Sequence, residues 1–194
     1  MLAPPVPPDE ENRIKALRDL SILDTPIQEA FDRITRLAKC IYKVPIVAIS
    51  LVDSERQWFK SIQGLDVCET TREVSFCGHT ILCEETMVIN DALQDERFID
   101  NPLVTEEPKI RYYAGHPIHD KQNNTIGTLC IIDTKPNSVP TEDLDTLREL
   151  AALVEEEIKK HYSSYAQERL IKELSDSKRA AMIDSLTRLW NREG

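Results

Sequence analysis

From Thr141 to Met182 the chain contains no glycine and no proline, and a stretch of that length without a breaker reads as one long helix. Thr141 offers an N-cap, and Glu142 and Asp143 place negative charge in the first turn, where the helix dipole favours it. Leu144, Leu147, Ala151, Val154 and Ile158 recur at alternating three- and four-residue steps, which continue through His161 and Tyr165. The apolar seam then shifts to Leu170, Ile171 and Leu174. Two partners suit such a seam: a second copy in a parallel coiled coil or, for Leu144 to Ile158, a sheet of the same domain. Beyond Tyr162 a preceding domain of this size is too short to cover the seam. A homodimer through residues 141–182 is therefore expected.

Upstream, the proline-rich residues 1–9 read as a flexible or extended leader. Ile14, Leu17, Leu20, Ile22 and Leu23 give helical spacing over residues 12–23. Thr25, Pro26 and Gln28 then form a capping-box start for a second helix reaching about Tyr42. Its inner face is expected to be Ile27, Phe31, Ile34, Leu37, Ala38 and Ile41. The period changes at residues 45–53, a β-branched run that reads as a buried strand. Residues 57–62 form its hairpin partner, closed by Gly64, and residues 87–90 form a short third strand. Phe76 to Cys83 reads as a short helix. Residues 110–119 and 125–133 make the clearest hairpin, joined by Asp120 to Asn124, residue types that tolerate left-handed backbone angles. Consecutive hairpins flanked by helices indicate an α+β domain with helices packed on an antiparallel sheet.

Thirty-four acidic against 24 basic residues give a net charge of −10, which disfavours nucleic-acid backbones and anionic membranes as partners. The N-terminus lacks the positive flank and apolar stretch of a secretory signal, and no apolar run is long enough to span a bilayer. A cytoplasmic location is expected. Five cysteines, odd in number and scattered on apolar segments, fit reduced thiols rather than a disulfide framework. His79 and Cys83 lie four residues apart with Cys77 nearby, but no Cys-x-x-Cys pair supports a structural metal.

Four motifs in order carry a more specific signal: Arg72 to His79; Val88 to Asp91 with Asp95 to Phe98 and Asn101 to Val104; Arg111 to Pro117; and Ile126 to Asp133. Together they resemble a bacterial subgroup of the GAF domain family. The resemblance implies a six-stranded antiparallel sheet flanked by helices, with a ligand cavity on one face. It covers residues 10–157, leaving 158–182 as a signalling helix and coiled-coil linker. Asp184 to Arg192 resembles the entry of diguanylate cyclase (GGDEF) domains, so residues 183–194 read as the start of a truncated second domain. The cyclase signature loop and its metal and nucleotide ligands are not in this sequence, and no catalysis is expected from it alone.

The resemblance implies a regulatory module whose ligand or redox state controls a cyclase through the dimeric helix. Candidate ligand contacts are Arg72, Phe76, Cys77, His79, Asp91, Arg111, Tyr113 and Cys130; no catalytic or metal-binding residue is assigned. Arg72 and Arg111 suit an anionic ligand, because guanidinium groups hold carboxylate or phosphate bidentately, or else pair with Asp91, Asp95 or Asp133. Tyr112 and Tyr113 must point to opposite faces of one strand. Cys77 and His79 invite comparison with the chromophore-bearing pair of phytochrome-like relatives, but Gly78 separates them, and neither bilin nor haem is expected. The cyclic-nucleotide signature of other relatives is missing. Two alternatives stand beside the regulatory reading: a ligand-free dimerisation platform, and a thiol-dependent enzyme resembling free-methionine-sulfoxide reductases that uses Cys77, Cys83 or Cys130.

Overall fold

All seven residues of the first strand, β1 (Ile46–Val52), are buried, as its continuous apolar run requires of a strand covered on both faces. In the computed structural model, which describes residues 1–182, β1 lies inside a six-stranded sheet. Its neighbours are β2 (Arg56–Gln63), β3 (Glu69–Thr71), β4 (Met87–Ile89), β5 (Tyr112–His119) and β6 (Thr125–Asp133). Their order is β3-β2-β1-β6-β5-β4, and every neighbouring pair is antiparallel. Helices flank this sheet on both faces, the α+β architecture expected.

One face packs Val47, Ile49, Leu51, Tyr112 and Ala114 against α1 (Glu10–Asp19), α2 (Glu29–Tyr42) and the base of α5 (Thr141–Met182). The other packs Ala48, Val52, Tyr113 and Cys130 against α3 (Phe76–Thr80), α4 (Pro102–Thr105) and their loops. Residues alternate between the two cores along the strands except at two register shifts, opposite Ile49/Ser50 and at Ile118/His119.

Several local expectations change. Helix α2 starts at Glu29, capped by extended Gln28, because Thr25 is already engaged. Its hydroxyl donates to Ile22 O at 2.6 Å and accepts from Lys60 Nζ at 2.7 Å. Lys60 also donates to Pro26 O at 3.0 Å, holding residues 25 and 26 in a turn. The inner face of α2 is Phe31, Ile34, Thr35 and Ala38; Ile27, Leu37 and Ile41 are exposed. Strand β3 and helix α4, of three and four residues, are additions that periodicity is too short-sighted to find. Gly64 closes β2 at φ +95°, where a Cβ would lie 2.1 Å from Pro45 O, so no other residue fits.

Residues 1–9 run in extended form against the domain. The Leu2 N–H donates to Arg97 O at 3.1 Å, and His79 Nε2 donates to Leu2 O at 3.1 Å. The terminal amine pairs with Asp100, and the Pro4 ring fills the space a side chain on Gly78 would need.

The base of α5 packs on its own sheet: Leu147, Leu150, Ala151, Val154 and Ile158 are all buried. Tyr42 Oη donates to Asp143 O at 2.6 Å, the His119 N–H donates to Glu155 Oε1 at 2.7 Å, and His161 Nε2 donates to Ser21 O at 3.2 Å. Past Tyr162 the helix leaves the domain, with Tyr165, Leu170, Ile171 and Leu174 exposed. No helix among the described residues is long and apolar enough to cross a membrane. The cyclase-like motif at residues 184–192 lies outside the described residues.

Candidate functional site

On the sheet face opposite α5 lies a cavity of about 350 Å³, a size that suits a small molecule. Its floor is formed by Ile46 and Ala48 of β1, Ile132 of β6, and Phe59 and Ile62 of β2, which share a face because the β1–β2 register shifts between them. Phe76, Cys77 and Tyr113 make one wall. Leu65 and Val67 from the β2–β3 loop face Leu103, Pro108 and Ile110 from the segment before β5.

Short helix α3 exists to present that first wall. Ser75 Oγ caps it by accepting the Gly78 N–H at 2.9 Å, and the Ser75 hydroxyl in turn donates to Gln57 Oε1. Phe76 stacks on Phe98 with ring centroids 4.0 Å apart and packs against Tyr113 at 5.2 Å. Aromatic rings thus fix the helix to the sheet.

Polar residues in the lining are few: Gln57, Thr70, Glu107, Cys77 and Tyr113. Among the described residues, no lysine, arginine or histidine lines the cavity. Thr70 Oγ1 has no hydrogen-bond partner among those residues and is fully buried, shielded from the cavity itself. The Gln57 carbonyl is used by Ser75, leaving its amide as the group to donate.

Of the expected contacts, Phe76, Cys77 and Tyr113 line the cavity and Cys130 lies directly behind, its sulfur 3.9 Å from that of Cys77. The others are elsewhere. Arg72 pairs with Glu10 and donates to Asp53 O at 3.2 Å. Arg111 Nη1 donates to Val104 O and Ile110 O at 2.8 and 2.9 Å. Both guanidinium groups therefore brace the chain, and neither meets the aspartates expected as partners. Asp91 accepts the Leu93 N–H at 3.1 Å in a turn. His79 stands edge-on to Phe98 and holds Leu2, and burial lowers its pKa.

The two buried thiols differ in acidity. Burial pushes the Cys77 thiol up, but hydrogen bonds from Cys130, Ser50, Thr128 and Tyr113 outweigh it and lower the pKa below the ordinary range. Cys130, whose proton is held by Cys77 and which is itself buried, is pushed well up. Tyr113 Oη lies 3.4 Å from Cys77 Sγ and 2.7 Å from Thr80 Oγ1.

Sequence reasoning missed Gln57 and Thr70. Alternation along β2 carried a signal, since Trp58 lies in the opposite core and Gln57 and Phe59 must share the cavity side. The loop residues carried none, because closure of the cavity brings together segments far apart in the chain.

The fold recurs in solved structures. The GAF domain of an Acinetobacter phosphoenolpyruvate-protein phosphotransferase superposes with TM-score 0.58 at 19% identity, over 80% of this chain and 98% of that one. The free methionine-R-sulfoxide reductase of Neisseria meningitidis superposes with TM-score 0.55 at 17% identity, over 86% and 98%. Likeness at that identity concerns the fold alone. In sequence the chain is 39% identical over 155 residues to the cyclic di-GMP phosphodiesterase PA2567 of Pseudomonas aeruginosa, covering 79% of this chain and 26% of that protein. The chain thus spans about a quarter of the curated relative it matches. A family model described as the GAF domain matches residues 26–158, and on that match, with the sheet order and cavity described above, the chain belongs to the GAF domain family.

Proposed function

We propose that this chain is the regulatory domain of a cyclic di-GMP signalling protein, and that its cavity binds a small, mainly apolar ligand that is neutral or cationic. The observation that carries the reading is the cavity lining: apolar walls, and no basic side chain among the described residues to hold an anion. An anionic ligand would have to shed its hydration with no charged donor to replace it. The sequence likeness to a cyclic di-GMP phosphodiesterase supports the signalling class, and the cyclase-like motif of residues 184–192 supports an output domain of the diguanylate cyclase type after α5.

Transmission runs through the sheet. Tyr113 lines the cavity while its neighbour Tyr112 packs in the core beneath α5, so a ligand that shifts β5 also shifts the seat of the helix. Two copies join through the exposed seam from Tyr165 to Leu174, since Leu147 to Ile158 are already covered by the domain. Such a switch works only if ligand binds the two helix arrangements with different affinity.

Thermal unfolding against a panel of neutral, cationic and anionic small molecules tests the ligand class. A binder present at about a hundred times its Kd should stabilise the protein by about 2.7 kcal/mol. Ala48→Leu, which fills the cavity floor, should remove the response while the protein remains folded. Stabilisation by anions alone, or one that survives Ala48→Leu, would overturn the assignment.

A further inference from the structure

Cys77 and Cys130 come from segments 53 residues apart and meet with their sulfurs 3.9 Å apart. Cys77 lies in the first turn of α3, and Cys130 lies in the middle of β6, between Ala48 of β1 and Gly115 of β5. Both are buried, exposed by 2% and 1%. Cys77 forms part of the cavity wall, whereas Cys130 does not reach it. The other three thiols are not built this way: Cys40 and Cys68 are exposed, and Cys83 points at His79 O, 3.7 Å away.

Pairing of two thiols in a core has no packing reason, since alanine or valine would fill the space without a reactive group. The surroundings add a chemical reason. Tyr113 Oη reaches Cys77 at 3.4 Å, and the Ser50 and Thr128 hydroxyls, 3.0 Å from each other, flank the pair from the adjacent strands. These are donors to a thiolate at Cys77, consistent with its being the more acidic of the two. A disulfide requires sulfurs about 2.05 Å apart. Closing the gap takes about 2 Å of movement of α3 towards β6, made against the ring contacts and the Thr80–Tyr113 hydrogen bond that seat the helix.

We propose that Cys77 and Cys130 are a redox dithiol, oxidised to a disulfide by a hydroperoxide that reaches Cys77 through the cavity. The Cys77 thiolate attacks the peroxide, the O–O bond breaks, and the departing oxygen takes the proton Cys77 released, giving water or an alcohol and a sulfenic acid on Cys77. The Cys130 sulfur then attacks the Cys77 sulfur. The S–O bond breaks, and hydroxide leaves with the Cys130 proton as water. Two thiols lose two electrons and the peroxide gains them. A hydroperoxide suits the route because it is small and uncharged, while the described lining offers no cation to draw in an ionic oxidant. The disulfide ties α3 to β6 and withdraws one sulfur from the cavity wall. It needs the cavity only as an entrance, so it stands whether or not a ligand binds there.

The test is peroxide treatment of the freshly reduced chain, followed by mass spectrometry of the intact protein and of a non-reducing digest. Expected is a loss of about 2 Da, reversed by dithiothreitol, with the peptides of Cys77 and Cys130 joined. A Cys40→Ser, Cys68→Ser, Cys83→Ser variant should behave the same way. Cys130→Ser should instead accumulate a sulfenic acid on Cys77 that dimedone traps. If the folded wild-type chain keeps both thiols free to alkylation after unfolding, gains oxygen without forming the link, or joins a different pair of cysteines, the proposal fails. The wild-type digest decides between these outcomes even if a variant does not fold.

Discussion

Tyr112 and Tyr113 are neighbours on β5, yet the Tyr113 hydroxyl is shared between Thr80 Oγ1 at 2.7 Å and Cys77 Sγ at 3.4 Å, while the Tyr112 hydroxyl is buried with no partner among the described residues. The two phenylalanine substitutions should therefore act in opposite directions. Tyr113→Phe breaks a satisfied buried network and should cost about 1–2 kcal/mol. Tyr112→Phe removes an uncompensated hydroxyl and should be neutral or stabilise by up to about 1 kcal/mol. Urea unfolding of the two variants measures the order directly, and a reversed order would contradict the assignment of faces.

Glu10 governs part of the acid response. Burial pushes its carboxyl up, but hydrogen bonds from Arg13 and Arg72 outweigh it and hold the pKa at about 2, below the ordinary 4.5. A depressed carboxylate stabilises the fold fully above its unfolded value, and that share is lost as pH falls from about 4.5 towards 2. Glu10→Gln should lower stability near neutrality by about 1–2 kcal/mol, once solvent screening at the partly exposed Glu10 is allowed for, and should flatten the acid limb. Denaturation midpoints across that window would show it; an unchanged acid limb would rule Glu10 out.

Lys60 acts in the opposite pH range. Its amine is 3% exposed in residue terms, held by Thr25 and Pro26 and lying over the Phe31 and Trp58 rings. Burial outweighs the attraction of Asp32 and lowers its pKa from 10.5 to about 8. Between those values the unfolded chain binds more protons than the folded one, so stability should rise with pH there. Lys60→Met should abolish that rise, which paired unfolding curves at about pH 8 and pH 10 would reveal.

How much of this could be read from residues alone depended on range. The β5–β6 hairpin was legible because Asp120 to Asn124 forms a loop the sequence announces: Asp120 Oδ1 accepts the N–H groups of Gln122 and Asn124, each at 2.8 Å. The start of α2 was not. Thr25, Pro26 and Gln28 satisfy a local capping rule, but Lys60, 35 residues away, takes Thr25 for its own use. The outer face of α2 misled for a related reason, since Leu37 and Ile41 fit the helical period without any sheet to cover them. At the cavity, Phe76, Cys77 and Tyr113 followed from motif and strand parity. Arg72 and Arg111 were drawn towards backbone carbonyls and Glu10, a choice that only the tertiary fold decides.

Two glycines should separate a rigid contact from a yielding one. A Cβ on Gly127 would lie 2.0 Å from Ser50 O, backbone against backbone, so Gly127→Ala should cost several kcal/mol or prevent folding. A Cβ on Gly78 would lie 2.7 Å from the Pro4 ring. Gly78→Ala should then lift residues 1–9 off the domain while the sheet stays folded. Hydrogen exchange would report it as lost protection at the Leu2 amide alone.

The continuity of α5 has a mechanical consequence. The helix leaves the domain after Tyr162, which packs on the core beside the His161 contact to Ser21 O, and continues to Met182, a free length of about 30 Å at the usual rise per residue. That arm acts as a lever with its fulcrum at the sheet. A tilt of about 5° at Tyr162 would carry the far end through about 3 Å, so a displacement too small to disturb the core is enlarged at the far end of the helix.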